Sequence, residues 1–379
     1  MSGRLKSKVM TIVGTRPEII RLSRIIPKLD DSFHHILVHT GQNTDVMLKD
    51  AMFRDLELRE PDIFLDINLS SLGSVLGDTL IKVEKALLDH SPDAVLILGD
   101  TNSAIAALMA KRMHIPVFHM EAGNRSFDQN VPEETNRRLV DHVSDFNLPY
   151  TEHARRNLLA EGLQPRRICV TGSPMTEVLE YFRPKIESST ILGKLGLKTG
   201  EFFLVSAHRQ ENVDSPDRLL QLVESLKAIR NEWGLRVIVS THPRTRKRLG
   251  ELEGLGEMEG ISFLEPFGFL DYNNLQLHAK CVVSDSGTIA EESAILGFPA
   301  VTIRDSSERP EAIEAGWLVM VGLKPDSVIQ GVHLRLEQTA SAFDVPNDYK
   351  VSNTSTRVVA IISSLMGRHH EWAGIRRLR

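Results

Sequence analysis

Short apolar runs (VMTIV, HHILVHT, AVLILGD, IPVFHM, DFNLPY and RRICVTGS) recur through the first half of the chain, each followed by polar turn residues or an amphipathic stretch. Each run has strand length and β-rich composition, and their alternation with helical patterns predicts stacked βαβ units around a parallel sheet. Helices are expected over residues 17–29 and 72–89. Around residues 173–185 the rhythm gives way to a helix and a polar connector, after which FFLVSAH, RVIVSTH, ISFLEP, CVVSDSG and PAVTI repeat it. The pattern therefore predicts an α/β protein of two Rossmann-like, doubly wound lobes, residues 1–171 and 172–355. Lobes of this kind facing one another would gather strand C-termini along a deep interdomain cleft. Residues 356–379 read as a C-terminal helix packing back on the first lobe, with the basic end HHEWAGIRRLR solvated.

Composition narrows the classes. A length of 379 residues suits two domains, and 41% hydrophobic with 25% charged residues is the profile of a soluble globular protein. The net charge of −5 leaves no polyelectrolyte footprint, which argues against a nucleic-acid partner, so an anionic ligand must be held by local clusters. No run approaches the ~18 apolar residues of a membrane helix. The apolar part of the opening segment, Val9 to Val13, ends in Gly-Thr-Arg-Pro and reads as a first strand rather than a signal peptide. Cys169 and Cys281, both in apolar contexts, read as core fillers of a reducing compartment, and a cytoplasmic location is expected. His35 and His39 fall in an apparent strand, where four residues span about 13 Å and cannot share an ion. With no CxxC, GxGxxG or GxSxG, neither a metal, a nicotinamide cofactor nor a serine nucleophile is expected.

The chemistry concentrates at strand ends. Between the run ending at Phe118 and the helix opening at Pro132, the stretch HMEAGNRSFDQNVPEETNRR carries Glu121 and Glu133, where ligands of open parallel sheets bind. Pro132-Glu133-Glu134 also suits a plain helix start, with Pro at N1 and acids in the first turn. Asp100 in Gly99-Asp100-Thr101 follows the third run and could be a helix N-cap as well as a catalyst. Should Asp100, Glu121 and Glu133 converge, like charge would raise at least one pKa, as a general acid or base requires. Gly14-Thr15-Arg16-Pro17-Glu18 places Arg16 at a helix N-terminus, an anion site in the making. In the second half His208 and Arg209 side by side suit a diphosphate. Ser284-Asp285-Ser286-Gly287-Thr288 reads as a backbone phosphate cradle, with Glu292 placed for a ribose diol and Arg309 nearby.

Taken together, GTRPE, GDT, EAGxR, PEExNRR, AHRxEN, SDSGxxxEE and RDxxERPE, in this order from residue 14 to 311, resemble the non-hydrolysing UDP-N-acetylglucosamine 2-epimerase family. The resemblance implies a two-lobed glycosyltransferase-B-like fold, a cytoplasmic homodimer, and inversion at C2 of a UDP-N-acetylhexosamine without an added cofactor. It gives Asp100, Glu121 and Glu133 the acid and base roles, and His208 support of the departing diphosphate. Arg16, Arg21, Arg209, Ser286, Gly287, Thr288, Glu292 and Arg309 fall on positions that look like those binding the UDP-sugar, and Tyr272 resembles the aromatic neighbour of uracil. Departures are informative. Gly41-Gln42-Asn43-Thr44-Asp45-Val46-Met47 lacks the Gln-His of a second, activating sugar-nucleotide site. Asn124 replaces leucine, the loop FDQNV is shorter, and Thr288 replaces glycine, variants that resemble the branch acting on 6-deoxy-L-sugars for surface polysaccharide. A hydrolysing epimerase, a UDP-sugar glycosyltransferase and a non-catalytic nucleotide-sugar sensor are the rival classes.

Overall fold

The computed structural model describes residues 6–42, 52–251, 258–338 and 342–375. The Asn43 to Met47 stretch and the last four residues of the tail thus lie outside the described residues. The chain forms two compact units, one of Met1–Val178 with Val351–Arg379 and one of Leu179–Lys350.

Each unit is built on a six-stranded, all-parallel sheet. The first contains β1 (Lys8–Val13), β2 (His34–His39), β3 (Ile63–Phe64), β4 (Ala94–Leu98), β5 (Val117–Met120) and β6 (Phe146–Leu148), in the order β3-β2-β1-β4-β5-β6. The second contains β7 (Phe202–Ser206), β8 (Arg236–Ser240), β9 (Ile261–Leu264), β10 (Cys281–Ser284), β11 (Ala300–Thr302) and β12 (Leu318–Met320), in the order β12-β11-β10-β7-β8-β9. Both are the same doubly wound order, with connections diverging between β1 and β4 in one sheet and between β7 and β10 in the other. Helices covering both faces explain why central strands such as β4, AVLIL, are apolar at every position.

Where pattern and structure differ, the causes are local. The helix expected over residues 17–29 is two, Arg16–Leu22 and Ile25–Ser32. Pro27 has no N–H to give the carbonyl of Ser23, four residues back, and the helix breaks there. RRICVTGS is not a strand. It touches the sheet edge through one bridge, Asn147 to Ile168, and the Cys169 N–H bonded to Asn147 O at 2.9 Å. The two-residue β3 and the three-residue β12 are edge strands too short to leave a periodic signature. Cys281 is buried and Cys169 partly so, each in a different unit.

The end of the chain is not solvated as far as Ile375. The helix Thr354–Leu365 packs on Ile25–Ser32, and His369 is fully buried beside Asp145. The Trp372 ring lies 6.2 Å from that of Phe146 and under the Arg166 guanidinium. Apolar and aromatic side chains on this segment outweigh its basic composition. No described helix is long and apolar enough to cross a membrane.

Candidate active site

In the first unit the divergence between β1 and β4 brings the GTRPE and GDT motifs together. Glu18 joins them: its carboxylate accepts the Gly14 N–H at 2.7 Å, the Thr15 hydroxyl at 2.8 Å, the Thr101 hydroxyl and the Ser103 hydroxyl at 3.0 Å. Burial raises the Glu18 pKa, against the lowering effect of these four donors. The helix start expected to hold an anion therefore already holds a carboxylate of the chain, and Arg16 sits half-buried beside it as the first helical residue. Asp100 is not a cap; Thr101 occupies that position before Asn102–Ile105.

Instead the Asp100 carboxylate meets Arg137 at 2.6 Å, and Glu121 meets Arg21 at 3.3 Å. The expected mutual repulsion of carboxylates is replaced by one arginine for each. Glu121 and Arg21 are both buried, and the Arg21 guanidinium also lies over the Tyr150 ring. Glu121 holds a left-handed backbone, φ 64°, which is costly for a residue with a Cβ and is typical of strained functional turns. Glu133 stands half-buried in the first turn of Pro132–Val143, with no side-chain hydrogen bond or ion pair among the described residues. Its neighbour Glu134 points inward and accepts the N–H and hydroxyl of Ser126, both at 3.0 Å.

The second unit gathers its motifs at the β7/β10 divergence. Asp285, fully buried, accepts the backbone N–H groups of His208 and Arg209 and the Asn212 amide, and lies 3.1 Å from His208 Nδ1. Burial opposes its charge, yet His208 and these donors hold its pKa down at about 2. The His208 side chain is 44% exposed; partial loss of hydration works against the imidazolium, and Asp285 more than offsets it, raising the His208 pKa.

Arg209 also donates to the Asp285 carbonyl at 2.9 Å and approaches Glu211 and Glu308. The Ser286 and Thr288 hydroxyls are 3.0 Å apart. Gly287 is crowded by side-chain ends: a Cβ there would sit 2.6 Å from Arg309 Nη1, which donates to the Gly287 carbonyl at 2.8 Å. Glu292 is buried and accepts the Gln276 amide at 2.7 Å. Burial first, and then the Glu292 charge, raise the Tyr272 phenol, with Ser206 and Ser284 acting in the opposite direction.

Thus Arg16, Asp100, Glu121 and Glu133 lie at strand ends or helix starts of one unit, with Arg21 in the last turn of the first helix. His208, Arg209, Tyr272, Ser286, Gly287, Thr288, Glu292 and Arg309 do so in the other. Sequence reasoning missed the carboxylates that staple these loops. Glu18 had a signal in the Thr-x-x-Glu spacing of a helix start. Asp285 stood inside the cradle motif, and its buried hub is visible only once β7 and β10 are adjacent.

Known proteins are similar to this chain in sequence and in fold. The sequence model of the UDP-N-acetylglucosamine 2-epimerase family matches residues 28–363. The structure of UDP-N-acetylglucosamine 2-epimerase from Rickettsia bellii is similar with a TM-score of 0.93 and 45% identity, over 98% of this chain and 100% of that one. The Methanocaldococcus jannaschii UDP-GlcNAc 2-epimerase in complex with UDP-GlcNAc and UDP matches with a TM-score of 0.87 and 36% identity, over 94% and 99%. The UDP-2,3-diacetamido-2,3-dideoxy-D-glucuronate 2-epimerase of Pseudomonas aeruginosa is 34% identical over 94% of this chain and all of its own length. Two doubly wound sheets, a family match across most of the length and these full-length relatives lead to one conclusion: the chain is an isomerase of the UDP-N-acetylglucosamine 2-epimerase family.

Proposed function

We propose that the protein inverts C2 of a UDP-N-acetylhexosamine without hydrolysis and without an added cofactor. The observation that carries this reading is the pair Asp100 and Glu121, carboxylates beyond the adjacent strands β4 and β5, each set by its own arginine. Inversion requires a proton to leave one face of C2 and another to arrive on the opposite face, so two separately placed proton-handling groups suit it. The C2 proton is not next to a carbonyl and is poorly acidic. In elimination the C1–O bond breaks with its electron pair going to UDP, the C2 proton passes to a carboxylate, and a C1–C2 double bond forms. Addition reverses this: a carboxylic acid protonates C2 from the other face and the UDP oxygen rebonds to C1. Asp100, Glu121 and Glu133 are the groups for these transfers. His208, held by Asp285, with Arg209 and the Ser286-Gly287-Thr288 turn suits the diphosphate that accumulates charge. Tyr272 and Glu292 suit the uridine.

The substrate that the bound relative favours is UDP-GlcNAc, giving UDP-ManNAc. A second reading, a UDP-6-deoxy-L-N-acetylhexosamine, is supported by Asn124. This residue stands three positions after Glu121, is buried, and has an amide Nδ2 with no hydrogen-bond partner among the described residues. The deciding experiment is proton NMR in D2O with UDP-GlcNAc and UDP-2-acetamido-2,6-dideoxy-L-talose offered separately. Deuterium entering C2 with a new anomeric signal is expected for the true substrate. Acceptor-dependent release of UDP without exchange would point to a transferase, and free sugar with UDP to a hydrolase.

A further inference from the structure

The helix Pro132–Val143 presents Glu134, Arg137 and Asp141 along one buried stripe, at the three- and four-residue spacings that put side chains on the same face. Burying three charges on one helix is expensive unless each has a dedicated partner. Each is partnered, though not exclusively: Glu134 takes Ser126 and Arg138, Arg137 bridges Asp100 and Glu134, and Asp141 takes the turn that carries Glu121.

Asp141 is fully buried, and its contacts reach both candidate proton-handling loops. Its two oxygens share the Gly123 N–H at 3.0 and 3.2 Å, and Oδ2 accepts Arg125 Nη1 at 2.7 Å. Its Oδ1 lies 2.9 Å from His119 Nδ1, and His119 Nε2 donates to the Gly99 carbonyl at 2.8 Å. Gly99 directly precedes Asp100. One carboxylate therefore grips the Glu121-Ala122-Gly123 turn directly and packs against the imidazole that holds the Gly99 carbonyl. Both turns need holding, since Glu121 has φ 64°, Gly123 φ 83° and Gly99 φ 76°.

We propose that Asp141 is a positioning residue for the reaction, fixing Asp100 and Glu121 relative to one another through His119 and Gly123. The proposal rests on the reading of those two carboxylates as the proton-handling groups. An amide of the same shape keeps one acceptor oxygen where the carboxylate offers two, and it removes the charge that faces the buried Arg125 guanidinium.

The test is a double-mutant cycle on purified full-length protein, with turnover, C2 deuterium exchange and UDP binding measured for Asp141→Asn, Glu121→Gln and the double variant. Asp141→Asn is expected to lower kcat roughly 100-fold, the scale of a misplaced catalytic group, while KM and UDP affinity stay close to wild type. In the Glu121→Gln background the same change is expected to cost less than in the wild type, because only its hold on the Asp100 turn is left to lose. A purely structural role would instead lower the melting temperature and leave kcat of the folded fraction unchanged, which overturns the proposal. If Asp141→Asn does not accumulate as folded protein, His119→Gln, which cuts only the link to Gly99, is expected to lower kcat in the same way, and wild-type kcat there would overturn it. Full turnover in Glu121→Gln would remove the underlying reading, whereas an inactive Glu121→Gln beside a fully active Asp141→Asn sinks the positioning role alone.

Discussion

Asp285 and His208 form a carboxylate–imidazole pair, 3.1 Å between Oδ1 and Nδ1, at the point where the second sheet's connections diverge. The two pKa shifts fix the signs of the pH dependence. Asp285 falls from 3.8 to about 2, so its contribution to stability is present above the ordinary value and disappears as pH drops toward the folded one. His208 rises from 6.5, so its contribution is complete below 6.5 and is lost as pH climbs through the raised value. The pair therefore stabilises the fold most from about pH 4 to 6.5. Because a protonated His208 suits a departing diphosphate, kcat/KM is expected to fall on the alkaline side. Asp285→Asn should move that alkaline limb to lower pH, and an unmoved limb in the pH–rate profile would show that Asp285 does not set the charge of His208.

Glu18→Ala is expected to destabilise the first unit by about 2–3 kcal/mol, since the Gly14 N–H is left buried with no acceptor while the three hydroxyls can reorient. Urea denaturation followed by circular dichroism measures this. A loss under half a kcal/mol would mean that water replaces the carboxylate.

Two glycines should respond differently to alanine. At Gly123, φ is 83° and a Cβ would lie 2.3 Å from the Ala154 carbonyl oxygen, so Gly123→Ala is expected to cost about 3 kcal/mol or more, or to prevent folding. At Gly287 the Cβ meets only side-chain ends, those of Arg309 and Glu308. Gly287→Ala should fold normally and bind UDP about tenfold more weakly, roughly 1.4 kcal/mol, by calorimetry.

Trp372→Ala removes a half-buried ring from Phe146 and Arg166 and should lower stability by about 1–2 kcal/mol. An unchanged thermal midpoint would return this segment to the solvated tail that its basic composition suggested.

Strand-length apolar runs made ten of the twelve strands among the described residues readable, because a buried parallel strand needs an uninterrupted apolar segment. Ile63–Phe64 and Leu318–Met320 escaped because edge pairing can be made by two or three residues of any pattern. The polar strand ends pointed to Asp100, Glu121, His208 and Ser286 for the same reason: charge directly after a buried strand needs a partner. What the sequence could not carry is who the partner is. Arg137 faces Asp100 from 37 residues away and Asp285 reaches His208 from 77, distances that only the sheet order closes.

The first unit is assembled from two separated stretches, and this sets an order on its formation. Val358 and Ile362 of the Thr354–Leu365 helix are buried, and Thr354 bonds back to the carbonyls of Thr171 and Ser173. During synthesis the ribosome releases residues 6–178 long before residues past 351, so the unit bearing Asp100 and Glu121 waits, with the Ile25–Ser32 helix uncovered, while the other unit is made. The unit that carries Asp100 and Glu121 is then the last to close. A nascent chain stalled near residue 350 would be the species that chaperones or aggregation capture.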